Sequence, residues 1–184
     1  RIFCEYRDSR SFPLLLPLLD QPCPVERMSV VYALGRNPCP TAVEKLVSLL
    51  ETDDNAYVRR ATAWSLANYD NQIVLKPLIN ALKNDVAAVR LWSSSSLAEI
   101  GNVSLENAQL AAEQLLISLK IDNEPGVRSN CIWSLCRLYE KLNNTFQESF
   151  VDECTKIALF DKEPSVMEEA KTALDSMGMQ GFYN

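Results

Sequence analysis

Residues 54–66 read DNAYVRRATAWSL, an acidic turn followed by a segment in which an arginine precedes a leucine by seven residues. A small residue stands just before that leucine, and the same pattern occurs four times along the chain. A fifth segment keeps the leucine and the small residue but has methionine in place of arginine. The five segments are Arg27–Leu34, Arg59–Leu66, Arg90–Leu97, Arg128–Leu135 and Met167–Leu174. Their leucines lie 32, 31, 38 and 39 residues apart, which is the spacing of helical-pair repeats.

A second helix is predicted before each of these segments. Apolar residues recur with helical spacing in residues 43–50 and 75–82, and acidic turns follow both stretches. The sequence therefore predicts an all-α fold of about five stacked helical pairs, in one domain over residues 1–184. The second helices of the pairs are expected near residues 26–36, 58–69, 89–101, 127–141 and 166–177.

Composition excludes several classes of function. The 184 residues include 18 basic and 24 acidic side chains, for a net charge of −6, and no histidine. Without histidine the chain has no Ser-His-Asp or Cys-His arrangement and no imidazole metal ligand. The negative charge argues against nucleic-acid binding, because phosphate neutralisation needs a concentrated basic stripe. We expect no catalytic residue and no resident cofactor.

The cysteines are scattered and form neither a CxxC pair nor a paired zinc-ligand spacing. We expect them to pack as small apolar residues in a reducing cytoplasm, with no metal site. No stretch predicts a signal peptide or membrane insertion. The sequence begins at Arg1 rather than methionine, which is consistent with a leader or further repeats before it. The six cysteines are Cys4, Cys23, Cys39, Cys131, Cys136 and Cys154.

Residues 54–66 resemble the HEAT-like repeat of the phycobilisome-lyase type, whose core reads D-x-x-V-R-x-x-A-A-x-A-L-G, with one residue inserted after the aspartate. Residues 85–90 (DVAAVR) and 124–128 (EPGVR) are similar, the latter with glutamate in place of aspartate. The resemblance covers nearly the whole chain. It implies a right-handed α-α superhelix, or α solenoid, and a cyanobacterial source.

The resemblance also implies a ladder of hydrogen bonds that links successive repeats through the turn aspartate and the arginine of the second helix. The residues at those positions are Asp54, Arg59, Asp85, Arg90 and Arg128. A row of arginines could alternatively bind the carboxylates of a partner. Met167 departs from the pattern and suggests a terminal, capping-like repeat.

An aromatic column follows the repeats. Equivalent positions are occupied by Tyr32, Trp64, Ser95, Trp133 and Thr172, so three of the five are large rings. Since second helices line the concave side of HEAT-like solenoids, the resemblance places these rings in a groove. The alternative is that the rings seal the seams between repeats. Trp92 lies one position off the column and is expected in the core. The candidate groove residues are Tyr32, Trp64, Trp133, Arg60, Arg137 and Asn68.

Three functions remain open. The first is a non-catalytic scaffold that binds a partner protein along the groove, since tyrosine, tryptophan and arginine dominate binding energy at interfaces. The second follows from the resemblance: a subunit or relative of a bilin lyase, or a phycobilisome-turnover factor. Its partner would be a phycobiliprotein or a second HEAT-like subunit, and an open-chain tetrapyrrole would be a transient ligand. The third is an accessory factor in iron–sulfur cluster assembly.

Overall fold

The computed structural model describes residues 8–70, 72–179 and 181. This part of the chain contains ten α-helices and no β-strand, so the expected all-α fold of helical pairs is confirmed. The helices are α1 Phe12–Leu15, α2 Pro24–Arg36, α3 Val43–Thr52, α4 Ala56–Leu66, α5 Leu75–Asn84, α6 Ala87–Gly101, α7 Leu105–Ile121, α8 Pro125–Leu138, α9 Asn144–Phe160 and α10 Pro164–Ser176. None of the described helices combines the length and the apolar character that crossing a bilayer requires.

The chain forms two compact units, Arg1–Ile100 and Gly101–Asn184. The first contains the pairs α1/α2, α3/α4 and α5/α6, and the second contains α7/α8 and α9/α10. In the first pair, α1 continues as a 3₁₀ helix over Leu16–Asp20, because Pro17 has no backbone N–H to donate to an α-helical bond. A turn of two or three residues joins the two helices of every pair.

The second helices of the pairs begin about two residues earlier than the apolar pattern predicts. Pro24, Pro125 and Pro164 each occupy the first turn of such a helix, where a missing N–H costs no hydrogen bond. In α4 the cap is a side chain instead: Asn55 Oδ1 accepts from the backbone N–H of Tyr57 at 2.9 Å. The turn chemistry therefore sets these boundaries, and the apolar period marks only the helix interior.

The repeat leucines form the centre of each unit's core. All five leucines are fully buried: Leu34, Leu66, Leu97, Leu135 and Leu174. The small residue before each leucine is buried as well. The hydroxyl of Ser96 in α6 donates to the carbonyl oxygen of Ala63 in α4 at 2.8 Å. A small residue at this position therefore lets the second helices of neighbouring pairs approach at backbone distance, which a larger side chain would prevent.

Candidate functional site

A cleft in the first unit is lined by two arginines and three large rings. Its volume is about 370 Å³, and we call it the aromatic–arginine cleft; it is formed by Tyr32, Arg36, Arg60, Trp64 and Trp92. Each arginine lies one helical turn from a ring on its own helix, Arg36 after Tyr32 on α2 and Arg60 before Trp64 on α4. Because α2 packs against α4, the two arginine–ring pairs face the same space.

The rings of the cleft contact one another and the arginines. The ring centroids of Tyr32 and Trp64 are 5.3 Å apart, and the ring planes are tilted by 54°. The guanidinium carbon of Arg36 lies 5.8 Å from the Trp64 ring centre, within cation–π distance. That of Arg60 lies 5.5 Å from the Tyr57 ring, and its Nη2 is 3.5 Å from the Tyr32 hydroxyl. Ring contacts therefore hold both guanidinium groups in place.

Gly35 makes this arrangement possible, although the sequence pattern did not single it out. A Cβ atom at residue 35 would lie 2.5 Å from Cζ3 of Trp64 and 3.0 Å from Oγ of Ser65. Only glycine leaves room for the Trp64 ring to lie over α2. The available signal was the glycine directly after the repeat leucine Leu34, where the next repeat has Ala67.

Trp92 also belongs to the cleft, so the expectation that it packs in the core is wrong. Its side chain is 37% exposed, and it lines the cleft from α6. By repeat spacing Trp92 is equivalent to Ala61 of α4, which is fully buried. An indole is far larger than the space that a buried alanine fills, so it turns towards solvent.

The other predicted groove residues lie elsewhere. Asn68 donates from its amide to the carbonyl oxygen of Ser65 at 3.3 Å and does not line the cleft. Trp133 and Arg137 belong to the second unit, where the guanidinium carbon lies 5.0 Å from the indole centre and the ring is 39% exposed. Of the six predicted residues, the structure brings Tyr32, Arg60 and Trp64 together in the first unit.

Arginine–aspartate pairs join successive turns, and we call each such pair a rung. Arg59 donates from Nε to Asp85 Oδ2 at 2.8 Å and from Nη2 to Oδ1 at 2.6 Å. Its Nη1 donates to the carbonyl oxygen of Asp53 in its own turn at 2.8 Å. Arg27 contacts Asp53, and Arg128 contacts Asp161, in the same two-point way. The rungs are thus built from side chains that are largely buried.

The predicted ladder omitted the rung residues Arg27, Asp53 and Asp161. Asp53 makes the two-point pair with Arg27, whereas Asp54 is 95% exposed and approaches Arg27 only at 3.4 Å. Asp53 also accepts from the backbone N–H of Asn55 at 2.9 Å. This second bond explains why the first aspartate of the pair is turned inwards. Arg90 donates from Nη1 to the carbonyl oxygen of Asp85 at 2.9 Å.

The rung carboxylates are held in their charged form. Burial alone would raise the pKa of Asp53, Asp85 and Asp161, but hydrogen bonds from arginine and from backbone N–H groups outweigh it. The pKa of each is therefore lowered. The arginines of the rungs have their charges balanced within the fold and are poorly placed to bind a partner.

A larger cavity of about 460 Å³ lies in the second unit, and two of the basic side chains that line it form ion pairs. The Arg128–Asp161 rung lines it, together with Lys156, which lies 3.5 Å from Glu153. The aromatic–arginine cleft differs in this respect: no ion pair joins Arg36 or Arg60 to a carboxylate of the described residues. It is therefore the stronger candidate for a binding site.

Burial makes two of the described cysteines poor metal ligands. Burial raises the pKa of the Cys136 thiol to about 11 and raises that of Cys154 further, so both stay protonated at neutral pH. Cys39 and Cys131 are buried and Cys23 is exposed, while Cys4 lies outside the described residues. Within the described ranges, no three cysteine or carboxylate side chains are grouped as metal ligands.

Comparison with known proteins identifies the repeats. The family model of HEAT repeats matches residues 1–67 and 43–136. A similar solved structure is that of the complex of CpcE and CpcF of phycocyanin lyase from Nostoc sp. PCC7120, with 20% identity and a TM-score of 0.67. The alignment covers 90% of this chain and 99% of that chain. No curated protein matches the sequence. The shared fold is that of a protein built from helical repeats. The family match, which spans most of the chain, shows that this protein belongs to the HEAT-repeat family.

Proposed function

We propose that the chain is a non-catalytic scaffold that binds a partner protein at the aromatic–arginine cleft. The observation that carries this proposal is the set of rings beside Arg36 and Arg60, which form no ion pair with the described carboxylates. Tryptophan, tyrosine and arginine are the residues that most often carry binding energy at protein interfaces. Because these residues are grouped in one concave site, a side chain of the partner can be buried among them.

The packing of the cleft supports the same function. Tyr32 and Trp64 are packed against each other, and Gly35 leaves the space that the Trp64 ring occupies. Side chains that are ordered before binding lose little conformational entropy when a partner arrives. Trp92, which is partly exposed, offers a further apolar surface for the partner.

Capture of the partner from cells of the source organism tests the proposal, using Trp92→Ala and the control Trp133→Ala. The two tryptophans are equally exposed, but Trp133 lies in the second unit. We expect a partner protein that is retained by the wild type and by Trp133→Ala, with at least about tenfold less retained by Trp92→Ala. Unchanged retention by Trp92→Ala would refute the proposal, and so would equal loss in both variants.

A second candidate is a subunit or relative of a bilin lyase. Its support is the fold shared with the CpcE–CpcF complex of phycocyanin lyase. The partner would then be a phycobiliprotein or a second HEAT-like subunit, and an open-chain tetrapyrrole would be a transient ligand. The cleft offers guanidinium groups for carboxylates and rings for a flat conjugated ligand. Mixing the chain with phycocyanobilin tests this candidate, because binding would change the pigment's absorbance and fluorescence.

A further inference from the structure

We propose that the aromatic–arginine cleft recognises an acidic peptide segment of the partner, with a carboxylate on Arg36 and Arg60 and a large apolar side chain against Trp64 and Trp92. This inference rests on the proposed function and specifies the chemistry of the segment that binds. It differs from the general proposal because it requires charge as well as apolar contact.

The arginines of the first unit fall into two groups. Arg27 and Arg59 each make a two-point ion pair with aspartate and donate further to carbonyl oxygens of their own turns. Arg36 and Arg60 make no ion pair with any described carboxylate, although both lie on the same helices as the paired arginines. The cleft therefore carries two positive charges that the described residues leave unbalanced, in a chain whose net charge is −6.

Arg60 has an unused donor at the cleft. Its Nε is buried, and no hydrogen-bond acceptor lies within reach of it among the described residues. Among the described residues, the guanidinium group has one polar partner, the Tyr32 hydroxyl, at the long distance of 3.5 Å. A buried N–H without an acceptor is costly, so a small movement of the guanidinium group that brings Nε to an acceptor in the cleft would remove that cost.

The ligand class follows from the shape of these donors. A guanidinium group presents a planar fork that matches the two oxygens of a carboxylate. The same fork also fits a phosphate, but the cleft lies along helix faces rather than at a helix N-terminus, so no helix-terminal N–H groups add to phosphate binding. The Trp64 and Trp92 rings beside the arginines suit an aromatic or large aliphatic neighbour of the acidic residue.

Selection from a random peptide library displayed on phage, with the full chain as bait, tests the inference. We expect enriched peptides to carry aspartate or glutamate beside an aromatic or large aliphatic residue. A synthetic copy of an enriched peptide should quench the tryptophan fluorescence of the protein. The same peptide with the acidic side chain replaced by its amide (asparagine or glutamine) should bind at least about tenfold more weakly. Enrichment of peptides without acidic residues, equal binding by the amide analogue, or a library without binders would each overturn the inference.

Charge variants of the cleft supply the matched controls. Arg36→Gln/Arg60→Gln should abolish the quench, and Arg60→Lys should weaken it because lysine keeps the charge but not the planar fork. Arg137→Gln removes an arginine that stacks on a tryptophan outside the cleft and should leave binding unchanged. Circular dichroism confirms that each variant is folded. Equal binding by wild type and the double variant would overturn the inference.

The outcomes separate this inference from the proposed function. If Trp92→Ala loses the partner while Arg36→Gln/Arg60→Gln retains it, the scaffold function stands and acidic recognition is wrong. If neither variant loses the partner, both are wrong. If phycocyanobilin binds the cleft and no peptide does, the cleft serves a tetrapyrrole and the inference is overturned.

Discussion

The Arg59 guanidinium donates two hydrogen bonds to the Asp85 carboxylate, from Nε to Oδ2 at 2.8 Å and from Nη2 to Oδ1 at 2.6 Å. Arg59 lies near the start of α4, Asp85 lies in the turn of the next helical pair, and both side chains are largely buried. The contact thus fixes the position of one pair against the next within the first unit.

Asp85→Asn should be strongly destabilising, because it leaves the Arg59 charge buried without its partner. We expect the free energy of unfolding to fall by roughly 3 kcal/mol, measured by urea denaturation. Arg10→Gln is the control, since the Arg10–Asp8 pair is exposed and its loss should have little effect on the free energy of unfolding. A loss below about 1 kcal/mol in Asp85→Asn would contradict the role given to the rung.

Acid should weaken the fold through the same carboxylates. The pKa of Asp53, Asp85 and Asp161 is lowered in the folded state, so their contribution is complete above the unfolded value of about 3.9. It is lost as the pH falls through the folded pKa. We expect the stability difference between wild type and Asp85→Asn to shrink as the pH is lowered through this range. A difference that stays constant would show that the charge of Asp85 does not matter.

Gly35→Ala should destabilise the first unit, although alanine is the better helix former by about 1 kcal/mol. The added Cβ would meet the Trp64 ring at 2.5 Å, and displacing that ring should cost about 1–3 kcal/mol. Gly101→Ala is the control, because its nearest contact is the flexible end of Leu138 at 2.8 Å. Urea denaturation and tryptophan fluorescence report the stability and the ring displacement. Equal effects of the two substitutions would argue against the special position of Gly35.

Tyr69→Phe should remove a buried hydroxyl that links two segments of the first unit. The hydroxyl donates to the carbonyl oxygen of Leu34 at 3.0 Å and accepts from the N–H of Cys39 at 3.2 Å. Leaving both groups unpaired should cost about 1–3 kcal/mol in thermal or urea unfolding. Tyr57→Phe, at an exposed ring, should be neutral. Loss of similar size in both variants would contradict the assignment.

Alkaline titration provides a second test of Tyr69. Burial raises its pKa to about 12, and the protonated form is the one that the fold stabilises. Its contribution is therefore present below the ordinary tyrosine pKa of about 10 and is lost as the pH rises towards the folded value. The near-ultraviolet absorbance of tyrosinate should show one group that ionises late, and this late step should be absent in Tyr69→Phe.

The repeat pattern predicted most of the fold, because the spacing of its apolar residues follows directly from which residues are buried. Each repeat leucine is fully buried, and the period of the apolar residues reflects helices that pack on one face. The helix starts were less accurate, since Pro24 and Asn55 set them through turn chemistry. The division into two units was not expected, because no linker composition marks residue 100.

The cleft was only partly predictable. Tyr32, Arg60 and Trp64 followed from the aromatic column, but Gly35, Arg36 and Trp92 did not. Trp92 does not occupy the helical position of the aromatic column. Its position is equivalent to a buried alanine in the neighbouring repeat, where an indole does not fit, so the ring turns into the cleft. The rung partner Asp53 was missed because two adjacent aspartates are indistinguishable in sequence, and only the backbone hydrogen bond to Asn55 orients the first inwards.

Each rung is formed by an arginine, a carboxylate and main-chain carbonyl oxygens, and most side chains on the outer helix surfaces do not contribute to it. Arg59, near the start of α4, contacts main-chain carbonyl oxygens of the preceding turn and one carboxylate of the next turn. The outer surfaces of α3 and of the rest of α4 take no part in this rung. Substitutions on those surfaces should therefore leave the rung intact. The chain accordingly shares its fold with the solved phycocyanin lyase structure although only 20% of the aligned residues are identical. New binding specificity can evolve on such a scaffold without a corresponding loss of stability.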